Sequence, residues 1–293
     1  MIALAALALL GARPAAPAPI PHPDKIAAFL KACDQKDGWR DPAPPLQIDR
    51  NVYMVGTCGI VSLLVASPKG HVLIDTAEEE AVPLVLANVR ALGFNPRDIK
   101  WLLASHSHFD HAGGLAAMQA ATGARIAALP VQARELRQGE PRADDPQFGL
   151  IKGIHPVPVD RELQDGVPLL IGSNRITAFA TPGHTAGSTS YVIRGCGQRN
   201  CQAIVYADSA STPSAKGYRF TDHPAWIAQF RKGVARIGTL PCTVLVTPHP
   251  SQSTLFERLA GDAPLADKAQ CKRYSDLALE RFDERLAKES AAQ

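Results

Sequence analysis

The stretch Ser105-His106-Ser107-His108-Phe109-Asp110-His111-Ala112-Gly113-Gly114 packs three histidines and an aspartate into six residues, directly after the apolar run Trp101-Leu102-Leu103-Ala104. That run, taken from about Asp98 to Ala104, reads as a buried strand, so the ligand-type side chains leave a sheet at a strand end. In an extended chain, residues i, i+2 and i+4 project to one side, which lets His106, His108 and Asp110 converge while His111 points elsewhere. Neighbouring ligands that diverge serve two metal ions held close together, each taking different side chains.

Two more histidines share this setting. His184, in Ala180-Thr181-Pro182-Gly183-His184-Thr185, follows a strand ending at Ala180, and His249, in Leu245-Val246-Thr247-Pro248-His249, follows one ending at Thr247. Three strand ends delivering histidine to one rim is how a sheet-edge metal site is assembled. Imidazole and carboxylate without thiolate suit zinc, although iron and manganese use the same donors. Such a set leaves open coordination positions, the mark of a catalytic rather than a structural site. His22, His71, His155 and His223 have no such partners and are set aside as non-ligands.

Outward from this loop, strand-like runs at 51–55, 60–65 and 71–75 are separated by Gly and Pro, and a helix is expected from about Glu78 to Leu92 and another over 113–121. The second half repeats the style, with strands near Arg175–Ala180, Thr189–Ile193, Ala203–Tyr206 and Thr243–Thr247 and a helix over Pro224–Ile237. The chain closes on a helix with Tyr274, Ala278, Phe282 and Leu286 at i+4 spacing, one apolar face that must pack on something. Two comparable halves of mixed strands and helices imply an α/β chain with two packed sheets and helices outside. We expect one domain over 24–293.

The chain has 293 residues, 46% hydrophobic and 20% charged, with 31 Lys plus Arg against 28 Asp plus Glu and a net charge of +3. No long basic block appears, which argues against a nucleic-acid partner. Residues 1–18 resemble the apolar core and small-residue cleavage zone of an export signal, too short to span a membrane, without the usual positive start. Six cysteines, Cys33, Cys58, Cys196, Cys201, Cys242 and Cys271, form no CxxC pair, and export favours disulfides. Cys196 and Cys201 flank a short loop between strand-like runs, where a local bridge is easy. Ser188 is not in a G-x-S-x-G elbow and there is no Ser-x-x-Lys, so a serine nucleophile lacks its usual setting.

The ligand segments resemble the signature of the metallo-β-lactamase-fold hydrolases. Tyr206–Ser211, Leu240–Pro250 and Cys271–Glu289 are further similar to segments of the class B, subclass 3 metallo-β-lactamases, a likeness running from about Gly38 to the C-terminus. Because His106 is kept and Ser209 stands where subclass 1 has a cysteine ligand, the six sulfur-free ligands point to subclass 3. The resemblance implies an αββα sandwich of two mixed β-sheets with helices on both outer faces. It implies two Zn2+ per chain, His106, His108 and His184 holding the first and Asp110, His111 and His249 the second, with Asp110 also orienting the metal-held water. It further implies Ser209, Ser211 and Thr185 as substrate-binding residues and the disulfides Cys33–Cys58, Cys196–Cys201 and Cys242–Cys271. The expected protein is a periplasmic monomer without membrane insertion that hydrolyses a small-molecule β-lactam and so confers antibiotic resistance. Ser107 and Phe109 depart from the Ala common at those sites. The alternative is a lactonase or glyoxalase II-like thioesterase on the same metals, favoured if Asp208 reaches both ions.

Overall fold

The computed structural model describes residues 21–195 and 202–291; the expected export signal and the Cys196–Cys201 bridge lie outside the described residues. Helix α1 (Pro23–Ala32) leads into a seven-stranded sheet whose strands lie side by side in chain order: β1 (Leu46–Asp49), β2 (Val52–Met54), β3 (Leu63–Val65), β4 (His71–Ile74), β5 (Ile99–Leu103), β6 (Arg125–Ala128) and β7 (Arg161–Glu162). The first four pair antiparallel and β4 to β7 pair parallel. Each parallel step needs a crossover. These are supplied by α2 (Val82–Ala91), by α3 (Phe109–Ala112) with α4 (Leu115–Thr122), and by α5 (Pro130–Gln138).

The second sheet has five strands, β8 (Pro168–Ile171), β9 (Asn174–Ala180), β10 (Thr189–Arg194), β11 (Ile204–Tyr206) and β12 (Val244–Val246), in the order β12-β11-β10-β9-β8. Only the β11–β12 step is parallel, and α6 (Pro224–Thr239) crosses it. Helices α7 (Leu255–Ala260) and α8 (Gln270–Ala291) complete the chain.

Side-chain alternation builds three apolar layers. Leu63, Val65, Val72, Ile74 and Leu103 face Tyr191, Ile193, Tyr206 and Val246 between the sheets. Their neighbours Leu64, Leu73 and Leu102 turn the other way, onto Val85, Val89, Leu115 and Leu136 of α2, α4 and α5. This period of two on strands buried on both faces is why the segments read as continuous apolar runs. On the far side, Phe230, Val234 and Ile237 of α6 and Tyr274, Ala278 and Phe282 of α8 cover Val192, Val205 and Leu245. The architecture is the expected αββα sandwich, and the closing helix buries the face its i+4 spacing marked.

Several boundaries differ from the sequence reading for local reasons. Ile60 precedes β3 because residues 57–60 form a tight turn, with Thr57 N–H donating to the Ile60 carbonyl at 2.9 Å. The helix expected from Glu78 begins as a 3-10 turn, Glu79–Ala81, and becomes α-helical only at Val82. Pro83 is tolerated there because first-turn N–H groups need no helical acceptor. Two disulfides are formed, Cys33–Cys58 and Cys242–Cys271, and no free cysteine occurs among the described residues. No described helix is long and apolar enough to cross a membrane.

Candidate metal centre

Parallel neighbours end on the same rim. β4 and β5 run together to Ile74 opposite Leu103, so Asp75 and Ser105 emerge side by side. In the second sheet Tyr206 lies opposite Val246, bringing the segments that carry Asp208 and His249 out together, and the turn between β9 and β10 carries His184. The rims are stitched: Thr189 N–H donates to the Ser105 carbonyl at 2.8 Å, and Tyr191 hydroxyl to the Ala104 carbonyl at 2.8 Å.

Past Ser105 the chain does not stay extended. Residues 109–112 turn into α3, and the helical rotation changes which ligands meet. One donor atom each from His106, His108 and His184 lie within 4.8 Å of one another, and the same holds for His106, Asp110 and His111. The expected i, i+2, i+4 convergence of His106, His108 and Asp110, with His111 turned away, is therefore corrected: Asp110 and His111 act together. Asp110 Oδ2 lies 3.0 Å from His111 Nε2 and 3.3 Å from His249 Nε2, and the two nitrogens are 3.2 Å apart. Tetrahedral zinc with bonds of about 2.0 Å needs donors about 3.3 Å apart, so this triangle fits a zinc ion.

Each of the five histidines gives its other ring nitrogen to an oxygen. His106 Nδ1 meets Asp208 Oδ1 at 2.9 Å, His108 Nε2 meets Asp145 Oδ2 at 2.9 Å, and His111 Nδ1 meets Asp75 Oδ2 at 3.1 Å. His184 Nδ1 donates to the Ser211 carbonyl at 3.1 Å and His249 Nδ1 to the Gly59 carbonyl at 3.3 Å. An acceptor on one nitrogen fixes the proton there and leaves the other nitrogen's lone pair for a metal. His106 Nε2 is the clearest case, a buried nitrogen with no hydrogen-bond partner.

The electrostatics agree. Burial, reinforced by neighbouring imidazoles, pushes His106 and His184 below the ordinary histidine range, so both stay neutral and ligand-ready. At His111 burial acts in the same direction, but the carboxylates of Asp110 and Asp75 outweigh it and push the imidazole up to about 10. Burial would raise Asp110, yet its contacts with His111 and His249 hold it well below the carboxylate range. A pocket that grips a proton this way offers a metal cation the same field.

Asp75 anchors this corner at a conformational cost. It is fully buried at φ +60, a left-handed backbone rare for a non-glycine residue. Its carboxylate accepts from Ser105 N–H at 2.6 Å and Ser105 Oγ at 2.8 Å and lies 2.7 Å from the Tyr206 hydroxyl.

Around the centre, Ser209 Oγ is buried without a partner, and Ser211 lies at the rim with Gln252 Nε2 3.5 Å from its hydroxyl. Thr185 Oγ1 is 3.2 Å from Ser188 Oγ, which also accepts Thr185 N–H at 2.9 Å, so that hydroxyl is engaged within its own turn. Trp39 packs edge-on against Phe109 at 5.5 Å and lies 6.0 Å from His249, and Lys152 Nζ sits 4.8 Å over the Phe109 ring. The histidines set aside are elsewhere: His71 Nδ1 accepts Ser67 N–H at 3.1 Å, His155 meets Glu79 at 3.2 Å, and His223 stacks on Tyr218. Sequence reading missed Asp75, Asp145 and Gly59. Asp75 ends an apolar strand on a charge, a signal for a rim position; the other two carry none.

The profile of the Metallo-beta-lactamase superfamily matches residues 55–197. Among solved structures, the chain is similar to the metallo-β-lactamase MIM-1 from Novosphingobium pentaromativorans, with 50% identity, a TM-score of 0.87 and coverage of 91% of this chain and 99% of that one. It is also similar to MEM-A1, a subclass B3 metallo-β-lactamase from a soil metagenome library, with 36% identity, a TM-score of 0.81 and coverage of 87% and 100%. Among curated relatives, a hydroxyacylglutathione hydrolase of Maricaulis maris is 35% identical over 88 residues, which are 30% of this chain and 26% of that relative, so the chain matches about a quarter of its length.

Proposed function

The chain belongs to the metallo-β-lactamase superfamily, close to its subclass B3 enzymes, and on that premise we propose that it is a zinc-dependent β-lactamase opening the amide of penicillins, cephalosporins and carbapenems. The observation that carries this reading is the donor set itself: five histidines and an aspartate on one rim, each imidazole held by an oxygen on its outer nitrogen. His106, His108 and His184 would hold one zinc, and Asp110, His111 and His249 a second. Zinc, when bound, supplies the Lewis acidity that ionises water near neutral pH and polarises a carbonyl.

The chain's own residues do the remaining work. Asp110, held ionised, accepts a hydrogen bond from the attacking water and aims it at the lactam carbonyl. The buried Ser209 hydroxyl and Ser211 at the rim offer donors to the substrate carboxylate. Thr185, beside His184, is held in its turn by Ser188 and is the third residue assigned to substrate binding. Trp39 and Phe109 give an apolar wall that shields the reacting centre from solvent. Two disulfides fit an oxidising compartment, consistent with action in the periplasm.

Thioester or lactone cleavage is the competing reading. It would draw support from Asp208 reaching both trios; Asp208 Oδ1 lies on the outer nitrogen of His106, and neither potential metal group among the described residues includes Asp208. The test is hydrolysis of a chromogenic cephalosporin and a carbapenem by purified protein, with chelator and with zinc restored, alongside a metal count. Chelator-sensitive turnover of both, recovered with about two zinc equivalents, is the expected result. A fully loaded protein that ignores both but cleaves glutathione thioesters refutes the proposal.

A further inference from the structure

His249 is the least protected of the five histidines, with 22% of its side chain exposed. Its outer nitrogen rests on a backbone carbonyl, Gly59, rather than on a buried carboxylate, so its orientation depends on the 57–60 turn. That turn is clasped from one side by the segment after α1. Cys58 N–H donates to the Asp41 carbonyl at 2.9 Å, Pro42 bridges Thr57, and a Cβ at Gly59 would overlap the Asp37 carbonyl oxygen. Residues 33–41 belong to no strand or helix, and they carry Trp39 to His249. From the other side, Val61 N–H donates to the Pro248 carbonyl at 2.8 Å.

One covalent bond closes this arrangement. Cys33, at the C-cap of α1, is joined to Cys58, the residue before Gly59. α1 in turn packs on α7, a few residues beyond His249, with Phe29 edge-on to Phe256 at 5.3 Å. A circuit therefore runs from His249 through α7, α1, Cys33 and Cys58 to Gly59, and back to His249 through a hydrogen bond. The first trio has no part in it, since its imidazoles rest on Asp208, Asp145 and the Ser211 carbonyl.

We infer that the Cys33–Cys58 disulfide is a positioning element for the second metal site, holding His249 in ligating orientation through the Gly59 carbonyl; this rests on the two-zinc reading above. Losing an outer-shell partner of a metal-binding histidine costs about 10–100-fold in metal affinity. The cost should fall on the second ion alone.

The test strips the full-length protein of metal and titrates zinc against a competing chromophoric chelator, in wild type, in Cys33→Ser/Cys58→Ser and in Gly59→Ala, with circular dichroism confirming the fold. Expected is a loss of about 10-fold or more in second-ion affinity in both variants, with the first ion nearly unchanged. Gly59→Ala keeps the disulfide but displaces the carbonyl and so tests the last link to His249; if the double variant does not fold, wild type reduced under native conditions and titrated in the same way tests the disulfide itself. Equal weakening of both ions in a folded variant, or no weakening, overturns the inference while leaving two-zinc binding intact. A wild type that saturates at one ion sinks the two-zinc reading and the inference with it.

Discussion

Glu135 offers the sharpest quantitative check on the packing beneath the metal loop. It projects from α5, 2% exposed, with Oε2 accepting from Ser107 Oγ at 3.0 Å and Oε1 buried without a partner. A Cβ at Gly187 would overlap Oε2, so the carboxyl is wedged between the turns carrying His108 and His184. Burial outweighs the Ser107 hydrogen bond and the Arg142 charge, pushing this acid from 4.5 up to about 7. An acid raised in the folded state binds more protons there than in the unfolded chain between those two values, so it removes stability as pH rises through that window. The full cost is about 3 kcal/mol, of which about 2 kcal/mol falls between pH 5.5 and 8. Glu135→Gln, neutral throughout and close in shape, removes that cost. Urea unfolding of both proteins across this range, at fixed zinc, should show the variant gaining about 2 kcal/mol on the wild type as pH rises. Metal linkage is common to both and cancels in the difference. Parallel curves would refute a buried acid of raised pKa.

Asp208→Ala should strip His106 of its orienting acceptor and lower first-ion affinity about 10–100-fold, read by zinc competition; loss confined to the second ion would contradict the assignment. Gly233→Ala, in α6, puts a Cβ into the Pro182 carbonyl oxygen and must push the helix off the turn that carries His184. The expected cost is about 1–3 kcal/mol in chemical denaturation together with reduced turnover, and an unchanged midpoint would show that the close approach is not real.

Much of the fold is legible in the sequence because its strands are buried on both faces and end at Gly, Pro or charged residues. β9, β10 and β11 begin within a residue of the expected places, and all six ligand-type residues sit just past strand ends. What was missed has physical causes. β6, α5 and β8 lie in a stretch whose apolar runs are short and whose helix is largely polar, so the hydrophobic signal is weak. α1 gains its place from packing on α7, a contact distant in sequence. The direction of His111 differs from the extended-chain expectation because Asp110 and His111 lie within the four-residue helix Phe109–Ala112. Asp145 reaches His108 across 37 positions from an irregular loop, and Gly59 acts through its backbone, which residue type does not reveal.

Each trio takes two side chains from the segment after β5 and one from the second sheet, His184 in one and His249 in the other. A cation on either trio is thus a cross-link over the seam between the sheets, made where the apolar layer stops and polar rims begin. Metal uptake and closure of that seam become one equilibrium, so free zinc concentration sets how firmly the two halves of the molecule are joined. His184 and His249 both come from the second sheet, so a fragment ending before β9 would keep only the cluster of His106, Asp110 and His111.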